Sequence, residues 1–129
     1  MYLQRRARSL VKRERDIVEA LKTIAVGNNT NLFLQYQPIL NLKTGSIFGF
    51  EALARLRTEK LGLVSPLEFI PITEKTKLIL PIGEKVIIKA FRFLNKLTEH
   101  GYDEIRVLIN ISIIQLMKHD FTSRLFELM

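Results

Sequence analysis

Two strand-like runs, Leu32 to Leu42 and Ser46 to Leu56, are separated by Lys43-Thr44-Gly45, and no other feature constrains the fold of this chain as strongly. A short link with Gly where a tight turn needs positive φ predicts an antiparallel hairpin. Side chains alternate between the faces of a strand. The second run therefore places Phe48, Phe50, Ala52, Ala54 and Leu56 on one face and Gly49, Glu51, Leu53 and Arg55 on the other. The first face is apolar and predicts helical cover. The second carries an acid and a base, which do not sit deep in a protein unless paired or liganded. In the first run Gln35 and Gln37 share a face with Phe33 and Ile39.

The elements around the hairpin follow from periodicity and punctuation. Leu3, Leu10, Ile17 and Ile24 repeat every seven residues, with Ala7 and Leu21 near the complementary seam and Glu14 interrupting it. This predicts a helix over residues 1–26, an amphipathic connector or weak coiled coil. Gly27-Asn28-Asn29-Thr30-Asn31 ends it. Residues 57–64 read as a loop. Ser65-Pro66-Leu67-Glu68 starts a short helix, with Ser65 as cap, Pro66 in the first turn and Glu68 closing a capping box; Phe69 and Ile72 form its buried side, and Pro71 disturbs it. Pro81-Ile82-Gly83 opens a helix to about His100, ended by Gly101. Ile105 to Ile111 is apolar and β-branched, as in a strand buried on both faces, and a last helix begins near Asp120. The later strand–helix–strand order predicts an α/β fold.

A length of 129 residues suits one small domain. There is no cysteine, so disulfides and thiolate metal sites are excluded, in keeping with a cytoplasmic protein. No long apolar segment follows the basic start, and neither a secretory signal nor a membrane span is expected. The net charge is +7, much of it in Arg5, Arg6, Arg8, Lys12, Arg13 and Arg15. A basic arm can meet nucleic acid or anionic lipid. With no RNA-binding aromatic pattern and no zinc-finger spacing, a solvated helix face is the better reading, and no nucleic-acid partner is expected.

The residues alone leave Glu51 with three readings: an ion pair, with Arg55 among the candidates; an open sheet facing water; or a metal ligand in a cleft. The two structural readings together are favoured on residues alone. Gln37 reads as an edge or solvent residue. Asn110, sharing a face with Leu108 and Ser112 in an apolar run, needs hydrogen-bond partners and reads more often as a strand-end turn former than as a ligand.

Taken together these residues are more specific. Gln35-Tyr36-Gln37-Pro38-Ile39 is followed by Thr44-Gly45 and by Gly49-Phe50-Glu51-Ala52-Leu53-Ala54-Arg55. Then come Ser65-Pro66-Leu67-Glu68-Phe69-Ile70-Pro71-Ile72, Pro81-Ile82-Gly83-Glu84 and Asn110-Ile111-Ser112. In order and spacing the series closely resembles the EAL domain, named for Glu-Ala-Leu, here residues 51–53. The resemblance covers about residue 31 to the C-terminus. It implies a partial TIM-like (β/α) barrel that begins with an antiparallel hairpin. A connector helix over residues 1–30 precedes the first part of the domain over 31–129, since such barrels take about 250 residues.

By resemblance, the family's reaction is the metal-dependent hydrolysis of cyclic di-GMP to pGpG with Mg2+ or Mn2+. The family's motif Glu and its next-strand Asn are metal ligands, here Glu51 and Asn110. Its dinucleotide contacts correspond to Gln37, Leu53 and Arg55, and guanidinium donors suit phosphate oxygens. Glu68 stays a capping residue. The family's further acidic ligands, an Asp-Asp pair among them, have no counterpart after Asn110. A fragment with little or no turnover is therefore expected, or alternatively a non-catalytic cyclic di-GMP-binding or dimerisation module. Open barrel edges or the N-terminal helix predict a homo-oligomer. An upstream GGDEF or sensory domain is expected in a longer parent.

Overall fold

The expected hairpin forms, and the rest of the sheet is built on it. The structure is a computed structural model and describes residues 2–27 and 31–129. β1 (Leu32–Leu40) and β2 (Ile47–Thr58) run antiparallel. Gly45 takes φ 70° at the turn, its N–H bonds to the Asn41 carbonyl at 2.8 Å, and the Asn41 side chain accepts the Lys43 N–H at 2.9 Å. An L-residue adopts that backbone only at a steric cost. This Asn41-centred turn stops β1 two residues earlier than the apolar run suggested.

α1 (Tyr2–Val26) precedes the hairpin. The expected turn after it falls partly on residues 28–30, outside the described residues, as does Met1. β3 (Gly62–Val64) adds a short antiparallel strand to the end of β2, through Leu56↔Val64 and Thr58↔Gly62. Residues 57–64 were expected to be a loop; three paired residues are too few to show a period-2 signal. α2 (Pro66–Lys75) and α3 (Ile79–Glu99) cross over to β4 (Arg106–Ile109), which runs parallel to β2. β2 is thus central: β1 lies on one edge, while β4 and β3 share the other. α4 (Ile113–Met117) and α5 (Phe121–Leu128) follow. A helix, an antiparallel hairpin and a parallel crossover make the opening part of a TIM-like barrel.

The core gathers α1, the sheet and α2. Ile17, Leu21, Ile24, Leu32, Leu56, Val64 and Phe69 are fully buried. Burying Phe69 contributes about 1.5–3 kcal/mol relative to leaving it exposed. The heptad in α1 is split: Ile17 and Ile24 lie in this core, whereas Leu3 and Leu10 are 77% and 60% exposed. Ion pairs fasten the middle of α1. Lys75 reaches Glu14 at 2.8 Å and Lys60 reaches Asp16 at 3.1 Å. Arg13 grips Glu68 with two hydrogen bonds, Nε to Oε2 at 2.7 Å and Nη2 to Oε1 at 2.9 Å. That pairing corrects the capping role expected of Glu68. Ser65 caps α2 by accepting the Leu67 N–H, but the Glu68 carboxylate is committed to Arg13.

The apolar face of β2 meets α3 at Phe50, whereas Phe48, skipped by the ladder, is 40% exposed with Arg106 over its ring. Tyr36 stacks on Phe93 with centroids 3.7 Å apart, and Phe50 meets the same ring edge-on at 5.5 Å. Burial pushes the Tyr36 phenol above its ordinary value. β4 departs from expectation: Leu108 is 44% exposed and Val107 and Ile109 are half-buried, because no described element covers its second face. Among the described residues no helix is long and apolar enough to cross a membrane.

Candidate functional site

Strand register, rather than any local motif, brings the candidate residues together. In the β1–β2 ladder Gln37 stands directly across from Glu51, and Gln35 across from Leu53. In the parallel ladder Glu51 is level with Leu108, two residues before Asn110. Paired residues share a sheet face, so Gln35, Gln37, Glu51, Leu53, Arg55 and Leu108 lie on the face away from Phe93. Asn110 sits just past the end of β4, the position that continues the register opposite Leu53. The Glu51, Leu53 and Arg55 side chains are half-buried, and Gln37 and Asn110 are exposed.

The electrostatics of this face separate its two charges. Arg55 is engaged: Nε donates to the Gln35 side-chain oxygen at 2.8 Å and Nη1 to the Ala54 carbonyl at 3.0 Å. Its Nη2 group remains available. The Glu51 side chain has no hydrogen-bond or ion-pair partner among the described residues, and the same holds for Gln37 and Asn110. The ion-pair reading of Glu51 therefore fails among the described residues, and its half-exposed carboxylate is left open to water or to a ligand. β2 carries no ladder partner on one edge between Ala52, where β4 ends, and Leu56, where β3 begins. A cavity of about 380 Å3 opens at that gap, lined by Leu53, Arg55, Glu74, Asn110, Ser112 and Gln115 among others.

These positions carry a recognisable pattern, and comparison with known proteins decides what it is. The family model described as the EAL domain matches residues 15–129. The chain belongs to the EAL domain family. A cyclic di-GMP phosphodiesterase of Pseudomonas aeruginosa, PA2567, is 37% identical over 97 residues, which is 75% of this chain and 16% of that protein. Among solved structures, the PaMucR phosphodiesterase in complex with c-di-GMP superposes with TM-score 0.80 at 29% identity, covering 88% of this chain and 45% of that one. The EAL enzyme Bd1971 in its cAMP-bound form superposes with TM-score 0.76 at 36% identity, covering 98% of this chain and 35% of that one. The chain thus spans less than half the length of the relatives it matches.

Within this EAL chain the donor set fits a hard, oxygen-preferring ion. Glu51 offers a carboxylate and Asn110 an amide oxygen, both hard oxygen donors. Among the described residues no three His, Cys, Asp or Glu side chains gather as a metal site, so the two donors would supply part of a coordination sphere that takes six oxygens for Mg2+. Sequence reasoning gave Gln35 no role beyond its place on the strand, yet it holds Arg55. It gave Gln115 none at all. The signal for Gln35 was its spacing of two from Gln37, which places both on one face.

Proposed function

We propose that this chain supplies the opening part of a cyclic di-GMP phosphodiesterase site. Glu51 and Asn110 hold Mg2+ or Mn2+, and Gln37, Leu53 and Arg55 contact the dinucleotide. The observation that carries the reading is the half-exposed Glu51 carboxylate without a side-chain partner among the described residues, across from Gln37 in the ladder and beside the strand that leads to Asn110. When bound, the metal activates water and neutralises phosphate charge. Arg55 is placed to meet a phosphate oxygen with its remaining N–H groups, because Gln35 fixes the plane of the guanidinium. Leu53 gives the ligand an apolar edge. Names of relatives support the substrate: PA2567 is called a cyclic di-GMP phosphodiesterase, and PaMucR is described with c-di-GMP bound.

The same reading divides the chain into a connector helix over residues 1–30 and an EAL portion over 31–129, although the second half of α1 packs in the core. It sets the chain in the cytoplasm, with an upstream GGDEF or sensory domain. A binding module without turnover is the second reading, in which Gln37, Leu53 and Arg55 contact the dinucleotide and no hydrolysis follows. The test is a Mn2+ titration followed by the electron paramagnetic resonance of the free ion, with pGpG sought by chromatography after cyclic di-GMP is added. Glu51→Ala and Asn110→Ala should each weaken Mn2+ binding about tenfold or more, and little or no pGpG should form. Equal affinity in all three proteins would remove the metal assignment. Ready formation of pGpG would show that the chain completes a working site.

A further inference from the structure

Gln115 is buried, 5% exposed, and neither the metal nor the dinucleotide reading uses it. Its Oε1 accepts the Ser112 N–H at 3.0 Å. Its other end lies on Gly83 of α3, where a Cβ would stand 2.6 Å from the Gln115 Cδ and closer still to Nε2. A side chain at 83 would have to displace the Gln115 amide, which gives Gly83 of the Pro81-Ile82-Gly83 motif a physical reason. The Ser112 hydroxyl accepts the Ile114 N–H at 3.1 Å and donates to Glu74 Oε2, at the end of α2, at 3.0 Å. Three helices therefore converge two residues after Asn110. On its other side Asn110 adjoins Ile109, the last residue of the β4 ladder, paired with Ala52. A short segment anchored at both ends has little freedom to move.

We propose that the Gly83–Gln115–Ser112–Glu74 cluster fixes the position of Asn110 for an oxygen-preferring divalent cation, with Gln115 and Ser112 acting as positioning residues. The inference rests on the reading of Asn110 as a metal ligand. Residues that orient a ligand without touching the metal are normally worth a large factor in affinity, since a donor must be held within about half an ångström of its productive place.

The experiment uses the 129-residue chain and Mn2+ alone, with two readouts. Amide hydrogen exchange at Ser112 reports the cluster without metal, and the Mn2+ dissociation constant reports its consequence. Gly83→Ala and Gln115→Ala should each speed exchange at Ser112 and weaken Mn2+ binding about tenfold or more. The double variant should be no worse than the worse single, because both act through one contact. Val64→Ala, in the core away from the cluster, should lower thermal stability and leave Mn2+ affinity unchanged. Wild-type exchange at Ser112 in Gly83→Ala, additive losses in the double variant, or an equal Mn2+ loss in Val64→Ala each overturns the proposal. If Mn2+ binding is indifferent to Glu51→Ala and Asn110→Ala while Ser112 exchange still responds to Gly83→Ala, the metal reading has failed and this inference falls with it.

Discussion

Glu51 and Glu68 show how the same side chain takes opposite roles in one small structure. Glu68 meets a bidentate guanidinium, and the hydrogen bonds from Arg13 hold its carboxyl below the usual glutamate range against the opposing effect of burial. Glu51 meets no partner among the described residues and stays half-exposed. Because the Glu68 pKa is lowered on folding, its contribution is fully present above the unfolded value of about 4.3 and is lost as pH falls through the lower folded value. Glu68→Gln should flatten the acid-side decline of the melting temperature below about pH 4.3, measured by thermal denaturation in parallel with wild type. Identical pH profiles would show that the pair is too well solvated to matter. The sequence showed which of its residues could share a sheet face, but it could not show which acid would find a cation. Arg13 and Glu68 lie 55 positions apart, and Glu68 also fits the pattern of a capping box.

At the scale of the element, α1 is the instructive case. Its heptad was legible, yet Leu3, Leu10, Ile17 and Ile24 look equivalent in sequence and are not equivalent in the fold. Periodicity defines a stripe and says nothing about how far along it the neighbours reach. Ile17→Ala should cost about 2–5 kcal/mol, whereas Leu3→Ala should stay within about 0.5 kcal/mol, both read from urea denaturation. Comparable losses would mean that the exposed half of the helix is covered in solution. The hairpin was the most legible element, because Gly45 and alternation agree on one register from Leu32 to Ile39, before the irregularity that skips Phe48. β3 and α4 were not legible, being three and five residues long, shorter than the periods that would reveal them. The site was legible only as far as alternation places Gln37, Glu51, Leu53 and Arg55. Their juxtaposition with Asn110 depends on a parallel crossover of more than forty residues.

For the whole molecule, open surface is the dominant fact. β1 is a sheet edge, and Leu42, Ile113, Met117 and Phe126 are 96%, 72%, 78% and 67% exposed. Unpaired edges and large apolar side chains in solvent favour association. Light scattering after size exclusion should therefore return a multiple of 15.0 kDa. A monomer at every concentration would contradict this, and an oligomer that survives removal of residues 2–14 would place the contact on the sheet or the C-terminal helices. If register on β1, β2 and β4 assembles a ligand site around Glu51, cyclic di-GMP binding should depend on that carboxylate. The measurement is calorimetric titration of cyclic di-GMP into the chain with Mn2+ present, for wild type and Glu51→Ala. Binding by wild type that weakens about tenfold or more in Glu51→Ala is the predicted result. No binding by wild type, or equal binding by both, would contradict it.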